Sequence, residues 1–332
     1  MTDLPLLRYL TGADVTALMP PVAQRLALAE ATLRGLAADA DLPAKIGVHP
    51  RTDQSFGHAM PAYLPGSGAG HTADRLGMKW VLGFPPNASL GLPAISATLL
   101  LNDPVTGLVI AILDAGPITA HRTAAVSGVA IRAFAAPAVA GRPRAALIGA
   151  GVQGHSHLPV LGYTLPGLDL VIYDRDPDRA ATLAEAARNT TGIATARVAA
   201  SARDAVEGAD VVVTAASFAA PKDRQQMTNA WLTPNALVVP VDYATMCAAE
   251  VARNAALFTV DHRDQWLANR DAGQFDNYPD PGPILGEVLD LTARPAGRIV
   301  AQHLGTGLVD VVFGTAIASA AAAQNVGIVL PR

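Results

Sequence analysis

The sequence predicts an α/β protein made of a doubly wound parallel-sheet domain and a second, α+β domain. Three observations carry that expectation. From Arg144 to about Gly305, short continuously apolar runs alternate with helical segments, the pattern of a parallel sheet covered on both faces. From Lys45 to Asp114, the apolar runs are instead separated by Pro, Gly, Asn and Asp clusters, which reads as a meander of antiparallel or mixed strands. A chain of 332 residues also has room for about two domains at ~150 residues each. The expected division is 1–122, with 306–332 returning to it, and 123–305.

Each element follows from local pattern. Residues 13–38 carry apolar positions at helical spacing behind Asp14 as a cap, predicting one amphipathic helix. KIGVH, GMKWVLGF, ISATLLLN and LVIAILDA are strands, punctuated by FPPN and NDPVTG. Residues 118–140 return to helical composition, and Gly141-Arg142-Pro143 ends that segment. AALI is then a strand, 152–165 a helix, LDLVIYDRD a second strand and 178–190 a second helix. ADVVVTAAS, ALVVPVDYA and ALFTVDH are further strands. The tail, 306–323, reads as one helix expected to pack on the first domain.

Composition excludes several classes. Half of the chain, 51%, is apolar, which argues against disorder. The net charge is −4, with 24 basic residues against 28 acidic and no run of Lys or Arg. A nucleic-acid or anionic-membrane partner is therefore not expected. The single cysteine, Cys247, rules out an internal disulfide and any multi-cysteine zinc site, and fits a reducing compartment. No basic segment precedes an apolar core near the N-terminus, and no window reaches ~18 uninterrupted apolar residues. The expectation is a soluble cytoplasmic protein.

Gly149-Ala150-Gly151-Val152-Gln153-Gly154 fits G-x-G-x-x-G directly after a strand and at the start of a helix. Asp174 ends the next strand, 20 residues beyond Gly154. In that context the signal is a Rossmann-type dinucleotide turn. Gly149 permits the tight turn, Gly151 lets a pyrophosphate approach, and Gly154 allows the helix to pack closely. The amides of Val152 and Gln153 then open the helix toward the phosphates. Asp174 would accept hydrogen bonds from ribose hydroxyls, favouring NAD. Arg175 beside it can recognise a phosphate, so NADP stays possible. Ligands of such sheets lie beyond the carboxyl ends of the strands, so Thr214, Ala215 and Ser217 should edge the coenzyme. Asp242 ends the strand ALVVPV. It is either a proton-exchanging acid/base or the cap of a helix beginning at Ala244.

No metal site is expected. His155 and His157, two apart on a helix, point to roughly opposite sides, and no carboxylate or cysteine cluster completes a site. His49 and His58 lie at strand ends near Lys45. His303 and Asp310 either touch the coenzyme or only fix the tail, and carry no assignment.

Further runs extend the pattern: Gly77-Met78-Lys79-Trp80-Val81, Phe84-Pro85-Pro86-Asn87, Gly91-Leu92-Pro93, Leu101-Asn102-Asp103-Pro104-Val105-Thr106-Gly107 and Ile118-Thr119-Ala120-His121-Arg122-Thr123-Ala124-Ala125. With the glycine turn, their order and spacing resemble the ornithine cyclodeaminase/mu-crystallin family over about residues 10–320. The resemblance implies a homodimer of two-domain subunits, in which the first domain and the C-terminal helix form the substrate-binding and dimerisation half. It implies that Lys79 lies near substrate, that Arg122 binds the substrate carboxylate, and that Asp242 is the general acid/base. Thr123 joins the coenzyme set.

Departures from the family pattern bear on substrate. Lys45 stands near where the family has an arginine, and keeps the charge without the bidentate fork. His58, two residues before Met60-Pro61, replaces the glutamate of ornithine cyclodeaminases, and Ala94 replaces a threonine. His58 and Met60 remain candidate substrate contacts, but a distal ammonium group is not expected. The implied activity is NAD(P)-dependent hydride transfer at the α-carbon of a small amino or imino acid, as an imine or ketimine reductase or an amino acid dehydrogenase. A cyclodeaminase with catalytic NAD and a non-catalytic nucleotide-binding protein are the alternatives.

Overall fold

The computed structural model describes residues 4–52, 54–66, 71–137 and 141–331. The chain divides into two compact units, Met1–Arg122 with Thr306–Arg332, and Thr123–Gly305.

The first unit is built on a seven-stranded sheet. Its strands are β1 (Leu7–Leu10), β2 (Ile46–Val48), β3 (Phe56–Leu64), β4 (Arg75–Gly83), β5 (Ile95–Asn102), β6 (Val109–Asp114) and the chain's last strand, Ile328–Leu330. The spatial order is last strand, β1, β6, β5, β4, β3, β2. β2 to β6 form an antiparallel meander. β1 lies parallel to β6 and takes the last strand antiparallel, so the sheet is mixed. Along β4, Gly77, Lys79, Val81 and Gly83 are buried while the residues between them are half-exposed, as a period of two requires. The buried side packs under the helix Gly307–Gln324, where Gly314 lies against Leu99 and Leu101 of β5. That helix is long and apolar enough to cross a membrane, yet half of it is buried in the protein and it carries the buried carboxylate Asp310.

The helix expected over 13–38 is two helices, α1 (Gly12–Ala17) and α2 (Val22–Ala38). Pro20 and Pro21 interrupt the run because proline cannot continue a helix from its interior. Asp14 is not the cap. Thr11 caps α1, accepting from the Asp14 amide at 3.2 Å, while Asp14 Oδ2 accepts from the Thr11 amide at 3.0 Å. The segment expected over 118–140 is α3 (Gly116–Phe134); residues 138–140 lie outside the described residues. The apolar runs do not mark β1, β3 or the last strand. β3 is diluted by Gly57, His58 and Pro61, and the other two are short strands that exist through pairing between chain ends.

The second unit holds seven parallel strands: β7 (Arg144–Ile148), β8 (Leu168–Tyr173), β9 (Ile193–Val198), β10 (Val211–Thr214), β11 (Leu237–Pro240), β12 (Leu257–Val260) and β13 (Ile299–Gln302). Their order is β12-β13-β11-β10-β7-β8-β9 and every neighbouring pair is parallel. β7, β10 and β11 are buried almost throughout, which is why they read as unbroken apolar runs. β9 and β13 were not legible that way: β9 exposes Ala194, Thr195 and Arg197 at the sheet edge, and β13 ends on Gln302. The helices α4 (Val152–Thr164) and α5 (Pro177–Arg188) follow β7 and β8.

Candidate active site

Strand order in the second unit reverses between β7 and β10, so the segments leaving those two strands flank the crevice where doubly wound sheets bind ligands. The glycine turn leaves β7. Gly149 has φ 109°, and a β-carbon there would stand 2.3 Å from the Ala215 carbonyl oxygen. Gly154 lies as close to the Gly149 carbonyl oxygen, 2.3 Å from a β-carbon position, which presses the first turn of α4 onto the strand end. Gly151 is different: nothing lies within 4 Å of its β-carbon position, and as the N-cap of α4 it offers no side chain to the first amides. Exposed Val152 and half-buried Gln153 follow it. Open space before the uncapped start of a 13-residue helix suits a pyrophosphate in both shape and charge. The residues fit a dinucleotide.

Asp174 stands just past β8. Its Oδ2 accepts from the Ala150 amide at 2.7 Å and its Oδ1 from the Asp176 amide at 2.9 Å, so the same carboxylate that would meet a ribose also braces the turn. Arg175 is exposed beside it, and Thr123 is buried near the start of this unit. Ala215 is half-buried and Ser217 exposed after β10.

Asp242 is buried beyond the carboxyl end of β11. Its Oδ1 accepts from the Thr214 hydroxyl at 2.7 Å, and its Oδ2 from the Ala216 amide at 3.1 Å. Thr214 is thus buried and directed at Asp242. Burial pushes the Asp242 carboxyl up to about 7, while the Thr214 and Ala216 hydrogen bonds hold it down. The helix-cap reading of Asp242 does not hold. Residues 243–246 are turn and bend, with Tyr243 at φ 58°, and the next helix begins at Ala249.

Sequence reasoning missed a buried network beneath the turn. His157 Nδ1 lies 2.6 Å from the Gln153 carbonyl oxygen and its Nε2 lies 2.8 Å from Ser127 Oγ. Ser127 Oγ in turn lies 2.9 Å from His303 Nε2. Burial lowers His157 to about 4, so it is neutral. With Nδ1 donating to the carbonyl, Nε2 accepts from Ser127. His155 is exposed on the other side of α4. Among the described residues, no three His, Cys, Asp or Glu side chains gather as a metal site.

In the first unit, Lys79 and Met60 are paired across β4 and β3, and both are buried. Lys79 Nζ lies 2.6 Å from Asp310 Oδ2 and 3.4 Å from Thr119 Oγ1. Arg122, also buried, donates through Nε to Asp310 Oδ1 at 3.1 Å. Burial lowers Lys79 to about 7, with Asp310 opposing the shift and Arg122 adding to it. Lys45 is half-buried ahead of β2, near enough to depress both Lys79 and His58. His58, stacked on Phe56 at 4.6 Å between centroids, is lowered to about 4 by burial first, then by Lys45, His49 and Lys79. Lys45, Lys79 and Arg122 therefore form one cationic cluster with neutral His58 at its side. Asp310 was left unassigned by sequence reasoning. The signal was present: it is the sole charge in GLVDVVFGTAIASAAAAQ, as Asp242 is in its own apolar run, and a lone charge among apolar residues is rarely buried without a partner.

Comparison with known proteins agrees with this architecture. The profile of the ornithine cyclodeaminase/mu-crystallin family matches residues 10–275. The nodulation efficiency protein NfeD of Rhizobium meliloti is 38% identical over 205 residues, 61% of this chain and 60% of that protein. The ketimine reductase mu-crystallin of Mus musculus is 31% identical over 158 residues, 48% of this chain and 46% of that protein. The aligned regions thus span less than two thirds of either relative. The structure of Thermococcus litoralis Delta(1)-pyrroline-2-carboxylate reductase, in complex with NADH and L-proline, superposes with a TM-score of 0.84 at 24% identity, covering 97% of this chain and 100% of that one.

Proposed function

The chain belongs to the ornithine cyclodeaminase/mu-crystallin family, and from that premise we propose that it is an NAD(P)-dependent oxidoreductase acting at the α-carbon of a small amino or imino acid. The observation that carries this reading is Asp242: a buried carboxyl raised to about 7, at the carboxyl edge of the dinucleotide sheet, beside a turn that fits a pyrophosphate. A group poised near neutral pH can give and take a proton in one cycle.

The bound nicotinamide supplies the hydride acceptor or donor. This chain's residues do the rest. Gly149, Gly151, Val152, Gln153 and Gly154 hold the pyrophosphate, with Thr123, Ala215 and Ser217 at its margin. Asp174 binds the adenosine ribose, so NAD is the preferred coenzyme, with exposed Arg175 leaving NADP usable. Arg122 and Lys45 hold the substrate carboxylate, Met60 and His58 line the substrate, and Lys79 positions the nitrogen-bearing carbon. Asp242 passes a proton to the imine nitrogen or removes one from the amine.

His58 favours net reduction or oxidation over cyclodeamination. Cyclodeamination of a diamino acid needs an anionic partner for a distal ammonium; a neutral imidazole supplies no negative charge, and the Lys45 and Lys79 cations near it repel the ammonium. Following oxidation of NADH with cyclic imino acids, and with keto acids plus amines, tests the assignment, alongside ammonia release from ornithine and lysine. Coenzyme oxidation with at least one imine, and no ammonia, is expected. Ammonia without net oxidation would make the chain a cyclodeaminase. Silence in both assays would leave a nucleotide-binding protein.

We assign the working form as a homodimer in the cytoplasm. The outer face of the first unit's sheet supports the dimer: Met78, Trp80 and Leu82 of β4, Leu100 of β5 and Ile112 of β6 stand half-exposed side by side, an apolar surface of the kind that subunits cover. Light scattering should return twice the chain mass.

A further inference from the structure

We propose that Asp310 is a specificity-determining residue: a built-in counter-ion to Lys79 and Arg122 that sets the anion capacity of the fully buried part of the cationic cluster, half-buried Lys45 aside, at one carboxylate, so that the substrate is monoanionic. The inference rests on the reading of that cluster as the substrate-carboxylate site.

Three buried ionisable groups make the deep layer. Lys79, Arg122 and Asp310 are 1%, 5% and 0% exposed. Asp310 bridges the two cations with one oxygen each, at 2.6 Å to Lys79 Nζ and 3.1 Å to Arg122 Nε. Unbalanced charges are costly away from water. Two cations against one carboxylate leave a single positive charge for an incoming anion to balance.

Asp310 cannot swing aside to admit a second one. It lies in the first turn of Gly307–Gln324, held from both sides by Lys79 and Arg122. The start of that helix is fixed by Gly307, whose β-carbon position is 2.3 Å from the Met60 carbonyl oxygen. Met60 is the strand partner of Lys79. One close approach therefore sets the height of Asp310 over Lys79. A second substrate carboxylate would meet a carboxylate already in place, and like charges repel strongly in a dry site.

Pyruvate and oxalate, near-isosteres differing by one negative charge, serve as probes. Each is titrated calorimetrically into the coenzyme-loaded full chain, buffered below the Lys79 value of about 7. The preference for oxalate over pyruvate should follow the net charge of the deep layer. It should be lowest in Lys79→Gln, intermediate in the wild type and in the Lys79→Gln/Asp310→Asn double variant, and highest in Asp310→Asn, with about tenfold or more between steps. Return of the double variant to the wild-type preference is the sign a purely structural role would not give. A preference that does not climb across whichever variants fold overturns the proposal, even with both probes bound. If neither probe binds the wild type, the carboxylate-site reading itself fails, and the proposal with it.

Discussion

Thr214 donates its hydroxyl hydrogen to Asp242 Oδ1 at 2.7 Å, and both side chains are buried at the carboxyl ends of adjacent parallel strands. A carboxylate on an apolar strand would be costly if nothing met it. Here one oxygen is met by a hydroxyl and the other by the Ala216 amide. The two bonds fix the orientation of the carboxyl without cancelling the upward pull of burial.

Asp242→Asn keeps the shape and the Thr214 contact but cannot exchange a proton. Turnover should fall by about 10²–10⁴-fold, while the dissociation constant for NADH changes little, since the pyrophosphate turn is untouched. Stopped-flow rates and fluorescence titration of NADH check the two halves. Unchanged turnover would remove Asp242 from the chemistry.

The pH dependence has a definite sign. With Asp242 as the proposed proton donor, imine reduction would use the protonated carboxyl, so its rate should fall as pH rises through about 7, while amine oxidation should rise over the same range. Thr214→Val removes a bond that favours the ionised form, and should move both limbs to higher pH. Stability follows the same group. A carboxyl whose folded value is raised gives its full stability below the ordinary carboxylate range and loses it as pH rises through about 7. Asp242→Asn should therefore melt above the wild type in alkaline buffer, and a melting difference that ignores pH would contradict the assignment.

The glycine turn separates folding from binding. Gly151→Ala adds a carbon where nothing lies within 4 Å, in a backbone that any residue adopts. It should leave the melting temperature nearly unchanged and weaken NADH by about tenfold or more, because the added carbon stands where the pyrophosphate must come close. Gly149→Ala and Gly154→Ala instead drive a carbon to 2.3 Å from a carbonyl oxygen, and should destabilise the fold by about 1–3 kcal/mol. Equal losses of binding and stability in all three would refute the distinction.

What the sequence made legible depended on whether the signal was local. β7, β10 and β11 read clearly because they are buried throughout and carry only apolar side chains, and the turn after Ile148 read clearly because its glycines have separate tasks. β1 and the strand Ile328–Leu330 were not legible: they are 4 and 3 residues long, and their pairing joins opposite ends of the chain. Pro20 and Pro21 did mark a break, but the apolar spacing on either side masked it. Ser127, His157 and His303 are far apart in sequence and meet only after folding. Asp310 stood out locally as a charge among alanines and valines, yet its two partners come from β4 and α3 and meet it only after folding.

On the proposed function, Asp174 ties coenzyme choice to the turn itself. Its carboxylate would accept from the adenosine ribose and repel a 2′-phosphate, while exposed Arg175 is suited to bind one. Asp174→Ser shortens the side chain and removes the charge. The ratio of kcat/KM for NADH over NADPH should fall by about tenfold. Because Asp174 also accepts from the Ala150 amide, binding of both coenzymes should weaken slightly. A ratio that does not move would detach Asp174 from ribose recognition.

Arg122 gives the sharpest test of substrate binding in the first unit. Its contact with Asp310 runs through Nε, the part of the guanidinium that lysine lacks. Arg122→Lys keeps the charge but loses that anchor, together with the planar fork that matches a carboxylate. KM for the imino acid should rise by about tenfold while kcat changes less, because the lost interaction is with a carboxylate whose charge is the same before and during hydride transfer. Steady-state kinetics over a range of substrate concentrations separate the two. A fall in kcat at constant KM would mean that Arg122 acts on the reacting carbon rather than on the carboxylate.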